Sequence, residues 1–138
     1  MKLRAAVAAV ALTLLVGAAA ASRGAAARAN DGTAHITIHY SLFEPADLAV
    51  EPGETVRFVI VNTDPIDHEF ILGDERVQLV HEEGTEAHHD PRPGEVSVPA
   101  GETVVTAYTF PEAAGELIFG CHLPGHYDFG MRGTVTIA

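Results

Sequence analysis

From residue 33 onward the chain alternates short apolar runs with turns that contain Pro and Gly. Residues 35–40 alternate apolar and polar side chains, which is typical of a strand with one buried face. Residues 55–62 combine alternation with a continuous apolar stretch, which predicts a central strand covered on one face and partly on the other. Similar runs occupy residues 48–50, 96–98, 103–110, 115–120 and 133–137. About seven short strands separated by regular turns predict an all-β fold, a β-sandwich.

After the first 21 residues, no segment shows a sustained helical period of apolar residues. Residues 76–81 show it faintly, within a longer stretch from 73 to 95 that has little strand character. The pattern therefore predicts a fold without a major helix.

The N-terminal residues have a different character from the rest of the chain. Residues 1–4 carry two positive charges, and residues 5–21 are uncharged and consist mostly of Ala, Val and Leu. This is typical of a signal peptide. Small residues at 18–21 offer a cleavage site before Ser22, and residues 25–27 offer a later one.

We therefore expect an exported protein, periplasmic or extracellular, with three parts. Residues 1–21 are the predicted signal peptide, residues 22–32 a flexible lead-in, and residues 33–138 a single domain. The apolar run is short for a membrane-spanning helix, which needs about 20 residues. An uncleaved N-terminal membrane tether is the alternative.

The chain is strongly acidic, with 8 Lys and Arg against 19 Asp and Glu. Removal of residues 1–21 would take away Lys2 and Arg4, leaving 6 Arg against 19 acidic residues and a formal charge of −13. Such a surface repels phosphate backbones, so we expect no nucleic-acid partner. The same field attracts metal cations and positively charged proteins.

The candidate chemistry lies in residues 119–133, a loop bounded by predicted strands. Cys121, His126 and Met131 follow one another in a Cys-x4-His-x4-Met pattern. A thiol, an imidazole and a thioether together select copper over harder cations. Structural zinc sites usually take paired Cys or His ligands, whereas this chain has one Cys. That Cys has no disulfide partner within the chain, and binding a metal as thiolate would explain its presence in an exported protein.

These motifs resemble the cupredoxin family, the relatives of plastocyanin, azurin and auracyanin, from about residue 33 to the C-terminus. The resemblance rests on residues 56–62, on His68 followed by Phe70, on residues 121–126 and on residues 130–135. It implies an antiparallel Greek-key β-sandwich, with two His and one Cys in a trigonal plane around copper and a distant axial Met. The implied ligands of one type 1 copper ion are His68, Cys121, His126 and Met131.

Other histidines compete with His68 or form a separate hypothesis. His122 follows Cys121 directly, so in extended chain its side chain points away and we exclude it as a ligand. Three histidines lie among carboxylates in the segment 74–95, where they could form a second, weak metal site: His81, His88 and His89. A solvated acidic loop is the alternative there. The remaining competitors are His35 and His39.

Two functional classes follow from such a site. The first is a one-electron carrier that cycles between Cu(II) and Cu(I) and docks transiently with redox partner proteins near His126. The second is a copper-binding protein for copper homeostasis, delivery or resistance. We expect the protein to be a monomer. We also expect it not to be an enzyme, since copper oxidases and nitrite reductases of this fold need a second domain or further copper sites and neither is visible in the sequence.

Overall fold

Two β-sheets and one short helix make up the part of the chain that the computed structural model describes, residues 25–84 and 90–138. The first strands are β1 (Ala27–Arg28), β2 (Thr33–His39), β3 (Leu42–Glu44), β4 (Asp47–Val50), β5 (Thr55–Asn62) and β6 (His68–Gly73). Helix α1 (Glu75–Glu82) follows, and the last strands are β7 (Glu95–Val98), β8 (Thr103–Thr109), β9 (Gly115–Gly120) and β10 (Arg132–Ile137). The predicted signal peptide lies outside the described residues.

The predicted β-sandwich is confirmed. One sheet has the order β1-β4-β10-β9-β6-β7 and the other the order β3-β2-β5-β8. Most neighbouring strands are antiparallel, but β1–β4, β4–β10 and β2–β5 are parallel. The chain crosses from β3 in the smaller sheet to β4 in the larger one and then returns, so β5 runs beside β2 in the same direction. The resemblance implied an antiparallel sandwich, and the structure adds these parallel pairs to it.

The core lies between the two sheets, where the alternating residues of the strands meet. Ile36 and Ile38 of β2 and Phe58 and Ile60 of β5 are fully buried. The Phe58 ring packs on a group of aromatic side chains whose ring centroids lie 5.3–6.1 Å apart: Phe43, Phe70 and Phe119. Burying one such side chain contributes about 1.5–3 kcal/mol to stability.

Strand β6 was not predicted from the sequence, and its burial explains why. Phe70 and Leu72 are buried in the core between the sheets, and Ile71 is buried on the opposite face, where helix α1 packs against the strand. A strand covered on both faces shows no alternation. The helix itself corresponds to the weak period over residues 76–81, and the carboxylate of Asp74 caps it by accepting the Val77 N–H at 3.0 Å.

Strand β1 lies within residues 25–32, the described part of the predicted lead-in. Strand β1 pairs in parallel with β4, and Ala27 and Ala29 pack against the core. Arg28 donates to the Glu51 carboxylate at 3.2 Å. Small Ala side chains give no periodic signal, so the sequence did not reveal this edge strand. Among the described residues, no helix is both long enough and apolar enough to cross a membrane.

Candidate metal centre

The four residues of the predicted copper site lie at one end of three adjacent strands. His68 begins β6, Cys121 follows the last residue of β9, and Met131 immediately precedes β10. These strands neighbour one another in the order β10-β9-β6 and run antiparallel. The C-terminal end of β9 therefore lies at the same edge of the sheet as the N-terminal ends of β6 and β10. His126 lies in the loop that connects β9 to β10.

Three ligand atoms converge to form a compact triangle. Nδ1 of His68 lies 3.3 Å from Nδ1 of His126, and Sγ of Cys121 lies 3.3 Å from Nδ1 of His126 and 4.0 Å from Nδ1 of His68. Metal bonds of about 2.0 Å to imidazole and about 2.3 Å to thiolate would place trigonal ligands about 3.5–3.7 Å apart. The observed sides lie within a few tenths of an ångström of those values. In the described part of the chain, no other group of three His, Cys, Asp or Glu side chains converges in this way.

Backbone hydrogen bonds close the ligand loop and hold Met131 beside the triangle. The Cys121 N–H donates to the Met131 carbonyl at 3.1 Å, and the Met131 N–H donates to the His126 carbonyl at 3.0 Å. Two glycines with positive φ, Gly125 and Gly130, allow the loop to turn. The Met131 side chain is 1% exposed. Its position is thus consistent with the axial role that the resemblance implied.

The Cys121 thiol is buried and uncharged when no metal is bound. Burial raises its pKa to about 11, although the N–H groups of Leu123 and Glu69 oppose this shift. The Glu69 N–H reaches Sγ at 3.3 Å. A metal that binds sulfur as thiolate must therefore displace a proton.

The two histidines of the triangle differ in exposure. His68 is buried and His126 is partly exposed. Burial and the neighbouring His68 lower the pKa of His126 below its ordinary value, which leaves its imidazole neutral and able to bind a metal at pH 7. The donor set of two imidazoles and a soft sulfur, with a buried thioether nearby, fits copper.

Asp64 is a part of the site that the sequence did not reveal. Its Oδ2 lies 2.9 Å from Nε2 of His68, the ring nitrogen opposite the triangle. Burial would raise the pKa of Asp64, but the N–H groups of Ser41 and Tyr40 and the neighbouring His68 together lower it. An Asp four residues before a His was the only available signal, and Asp67 in the same loop looks equally suitable by sequence.

The other histidines that the structure describes lie outside the triangle. His122 contacts helix α1, with Nδ1 2.7 Å from a Glu82 oxygen and Nε2 2.8 Å from Oε1 of Gln78, and its ring stacks on Tyr127. His35 and His39 point outward from β2. The hypothesis of a second metal site depends on His88 and His89, which lie outside the described residues, while His81 lies 3.6 Å from Glu95.

Comparison with known proteins points in the same direction as the geometry. Residues 32–138 match the model of a family described as copper binding proteins, plastocyanin/azurin family. A relative named copper-resistant cuproprotein CopI, from Rubrivivax gelatinosus, is 40% identical over 98 residues, covering 69% of this chain and 59% of the relative. A protein of the same name from Vibrio cholerae is 36% identical over 88 residues, covering 62% of this chain and 52% of its own length. The chain thus spans between about half and three fifths of these relatives.

Solved structures share the fold at lower identity. Reduced auracyanin from Roseiflexus castenholzii superposes with a TM-score of 0.66 at 24% identity, covering 80% of this chain and 98% of that one. Auracyanin A from Chloroflexus aurantiacus gives a TM-score of 0.62 at 23% identity, covering 77% of this chain and 98% of that one. At such identities the likeness establishes the sandwich architecture.

Proposed function

The chain belongs to the plastocyanin/azurin family of copper-binding proteins, and from this premise we propose that it serves copper resistance by holding one copper ion in a type 1 centre. Copper bound by two imidazoles and a thiolate cycles between Cu(II) and Cu(I). The residues that would hold it are His68, Cys121, His126 and Met131.

The observation that carries the proposal is a ligand triangle that is already formed within a buried part of the fold. Cys121 and His68 are shielded from solvent, and only His126 is partly exposed. The sandwich fixes the ligand positions before any metal arrives, so little ordering cost opposes binding. A soft thiolate in such a position binds copper tightly and keeps it away from other thiols.

The similarity to proteins named for copper resistance supports this use of the site. The relative from Rubrivivax gelatinosus, at 40% identity, is described as a copper-resistant cuproprotein. The similarity extends over 98 residues, more than two thirds of this chain.

Growth in the presence of copper tests the proposal. A strain that lacks the gene should become copper-sensitive, and the wild-type chain should restore tolerance. Cys121→Ser should fail to restore it at equal protein level, because the hard hydroxyl does not replace the thiolate. His35→Gln, at an exposed position on β2, is the matched control and should behave as wild type. Full tolerance with Cys121→Ser would exclude resistance through this site.

One-electron transfer is a second candidate, and the loop around the site favours it. The exposed side of the loop carries an apolar residue, Phe129, that is 91% exposed, and partly exposed Leu123 lies beside the site. Apolar side chains next to a partly exposed metal ligand suit brief docking of a redox partner. The electron-carrier role stays a prediction.

The substitution Met131→Leu distinguishes copper resistance from electron transfer. It removes the axial ligand, which tunes the reduction potential of the copper, and it leaves the three trigonal ligands in place. If the protein only withholds copper, tolerance should survive the change. If it delivers electrons, electron transfer to its partner should change in rate together with the measured potential. Rapid self-exchange supports the carrier, whereas transfer of copper to an acceptor protein supports delivery.

We also infer that the protein works outside the cytoplasm, in the periplasm or extracellularly, as a monomer and without enzymatic activity of its own. The positively charged start and the apolar sequence before Ser22 support export. N-terminal sequencing of the protein recovered from cell fractions distinguishes a cleaved chain from one tethered by its uncleaved N-terminus.

A further inference from the structure

The carboxylate of Asp64 connects the buried His68 to a neighbouring turn. It is 7% exposed, and its Oδ1 accepts the Tyr40 N–H at 2.8 Å while its Oδ2 accepts the Ser41 N–H at 2.8 Å. The same Oδ2 lies 2.9 Å from Nε2 of His68. An ionised carboxylate only accepts hydrogen bonds, so the ring nitrogen must donate here.

This contact determines which nitrogen of His68 is free. A neutral imidazole has one N–H and one lone pair. If the proton is on Nε2, facing Asp64, then the lone pair is on Nδ1, which points at Cys121 and His126. Asp64 thus fixes both the tautomer and the ring orientation that a metal needs.

The local backbone is shaped around this carboxylate. Tyr40 and Ser41 both have positive φ, 51° and 55°, a conformation that side chains with a Cβ rarely adopt. Both of their N–H groups point at Asp64. Asp64 is itself held, because its N–H donates to Oδ1 of Asn62 at 3.0 Å. Such an arrangement keeps the carboxylate fixed beside the His68 ring.

A fixed negative charge next to a ligand affects the two oxidation states of copper differently. Cu(II) carries one more positive charge than Cu(I), and a buried carboxylate interacts more strongly than one in water. Among the described residues the nearest other imidazole is that of His39, which lies 4.0 Å from Asp64 with its side chain 47% exposed, so solvent screens its interaction with this carboxylate.

We propose that Asp64 is a positioning residue of the copper centre, which holds the His68 ring with Nδ1 toward the metal and shifts the bound ion toward Cu(II). Its charge lowers the reduction potential of the one-electron couple, in which Cu(II) takes up an electron from an external reductant to give Cu(I). This holds whether the protein serves copper resistance or electron transfer.

The test compares two variants that remove the same charge from neighbouring positions. Asp64→Asn removes the charge that faces His68. Asp67→Asn removes a charge one residue from His68, on an exposed side chain that accepts the Ala100 N–H at 2.9 Å. The readouts are the reduction potential measured at an electrode and the visible spectrum of the copper-loaded protein.

We expect Asp64→Asn to reduce the preference for Cu(II) over Cu(I) at least tenfold, a rise in potential of about 59 mV or more for one electron. Asp67→Asn should change it by no more than about threefold, because solvent screens its charge. The visible band should remain in both variants. An unchanged potential in Asp64→Asn, or an equal shift in the two variants, would overturn the proposal.

A second measurement needs no variant. Long-range proton–nitrogen NMR correlations of the metal-free wild-type protein report the tautomer of each neutral histidine. We expect the His68 proton on Nε2. A proton on Nδ1 would show that Asp64 does not hold the ring as proposed, whatever the variants do.

Discussion

The Cys121 thiol and the His126 imidazole are both uncharged at neutral pH in the metal-free protein. Burial raises the pKa of Cys121 to about 11, so the thiol keeps its proton over the whole physiological range. Burial lowers the pKa of His126, so its imidazole is already deprotonated. The proton that a metal must displace therefore comes from the sulfur.

Copper binding should consequently depend on pH in a defined direction. A thiol with a raised pKa competes with the metal below that pKa, so the apparent affinity for Cu(I) should rise about tenfold per pH unit from pH 7 toward pH 10. Calorimetry in buffers of different ionisation enthalpy should show about one proton released per copper. Cys121→Ser, which lacks the thiol, should not release this proton. If copper binding to the wild-type protein released no proton, the Cys121 thiol would already be ionised in the metal-free protein.

Strand β10 reaches its place in the sheet because Gly133 has no side chain. A Cβ at this position would clash with the Ala46 carbonyl oxygen and with the Phe119 ring. The next residue, Thr134, donates its N–H to that same carbonyl at 2.8 Å. Since Met131 lies two residues before Gly133, the position of β10 in the sheet also determines the position of Met131 at the end of the ligand loop.

Gly133→Ala should therefore destabilise the metal-free protein by about 1–3 kcal/mol through overpacking, and should weaken copper binding as well. Gly115→Ala is the matched control, because nothing lies within 4 Å of a Cβ there, and a change within about 0.5 kcal/mol is expected. Urea denaturation of the two variants measures both effects. If the two variants had equal free energies of unfolding, β10 would be able to move away from Ala46 and Phe119 without a loss of stability.

The strands were predictable where one face is covered and the other is not. Residues 35–40 and 55–62 alternate because only one side of β2 and β5 is fully buried, and both lie close to their predicted positions. Strand β6 has no alternation because helix α1 covers its outer face, and β1 is only two residues long, Ala27 and Arg28. Periodicity cannot report either case.

The ligand triangle was largely predictable, and Asp64 was not. Cys121 and His126 lie in a local motif, so their spacing along the chain already indicates the chemistry. His68 comes from another strand and was identified through family resemblance. Asp64 acts through its orientation, which depends on the turn at Tyr40 and Ser41, and no sequence pattern in the chain distinguishes it from Asp67.

The whole molecule builds the copper site from adjacent strands of a packed sandwich. The ligands come from β6, from the end of β9 and from the loop before β10, and the core beneath them includes Phe70 and Phe119. Because the core forms without the metal, the site should exist before copper arrives. This differs from small metal-dependent folds, which unfold when the metal is removed.

The metal-free protein should accordingly unfold cooperatively, with far-ultraviolet circular dichroism like that of the loaded form. Copper should then add stability by mass action, about 4 kcal/mol at a free concentration 1,000 times its Kd. Thermal unfolding with and without copper measures both quantities, with Cys121→Ser as the variant that should gain little. A metal-free chain without a folded baseline would refute the preformed site.

The type 1 copper centre at His68, Cys121 and His126 is tested most directly by adding Cu(II) to the metal-free protein and recording its visible and electron paramagnetic resonance spectra. The structure predicts an intense thiolate-to-copper absorption band and the narrow copper hyperfine splitting of a blue site, both lost in Cys121→Ser. A colourless complex, or a spectrum that Cys121→Ser leaves unchanged, would contradict the assignment.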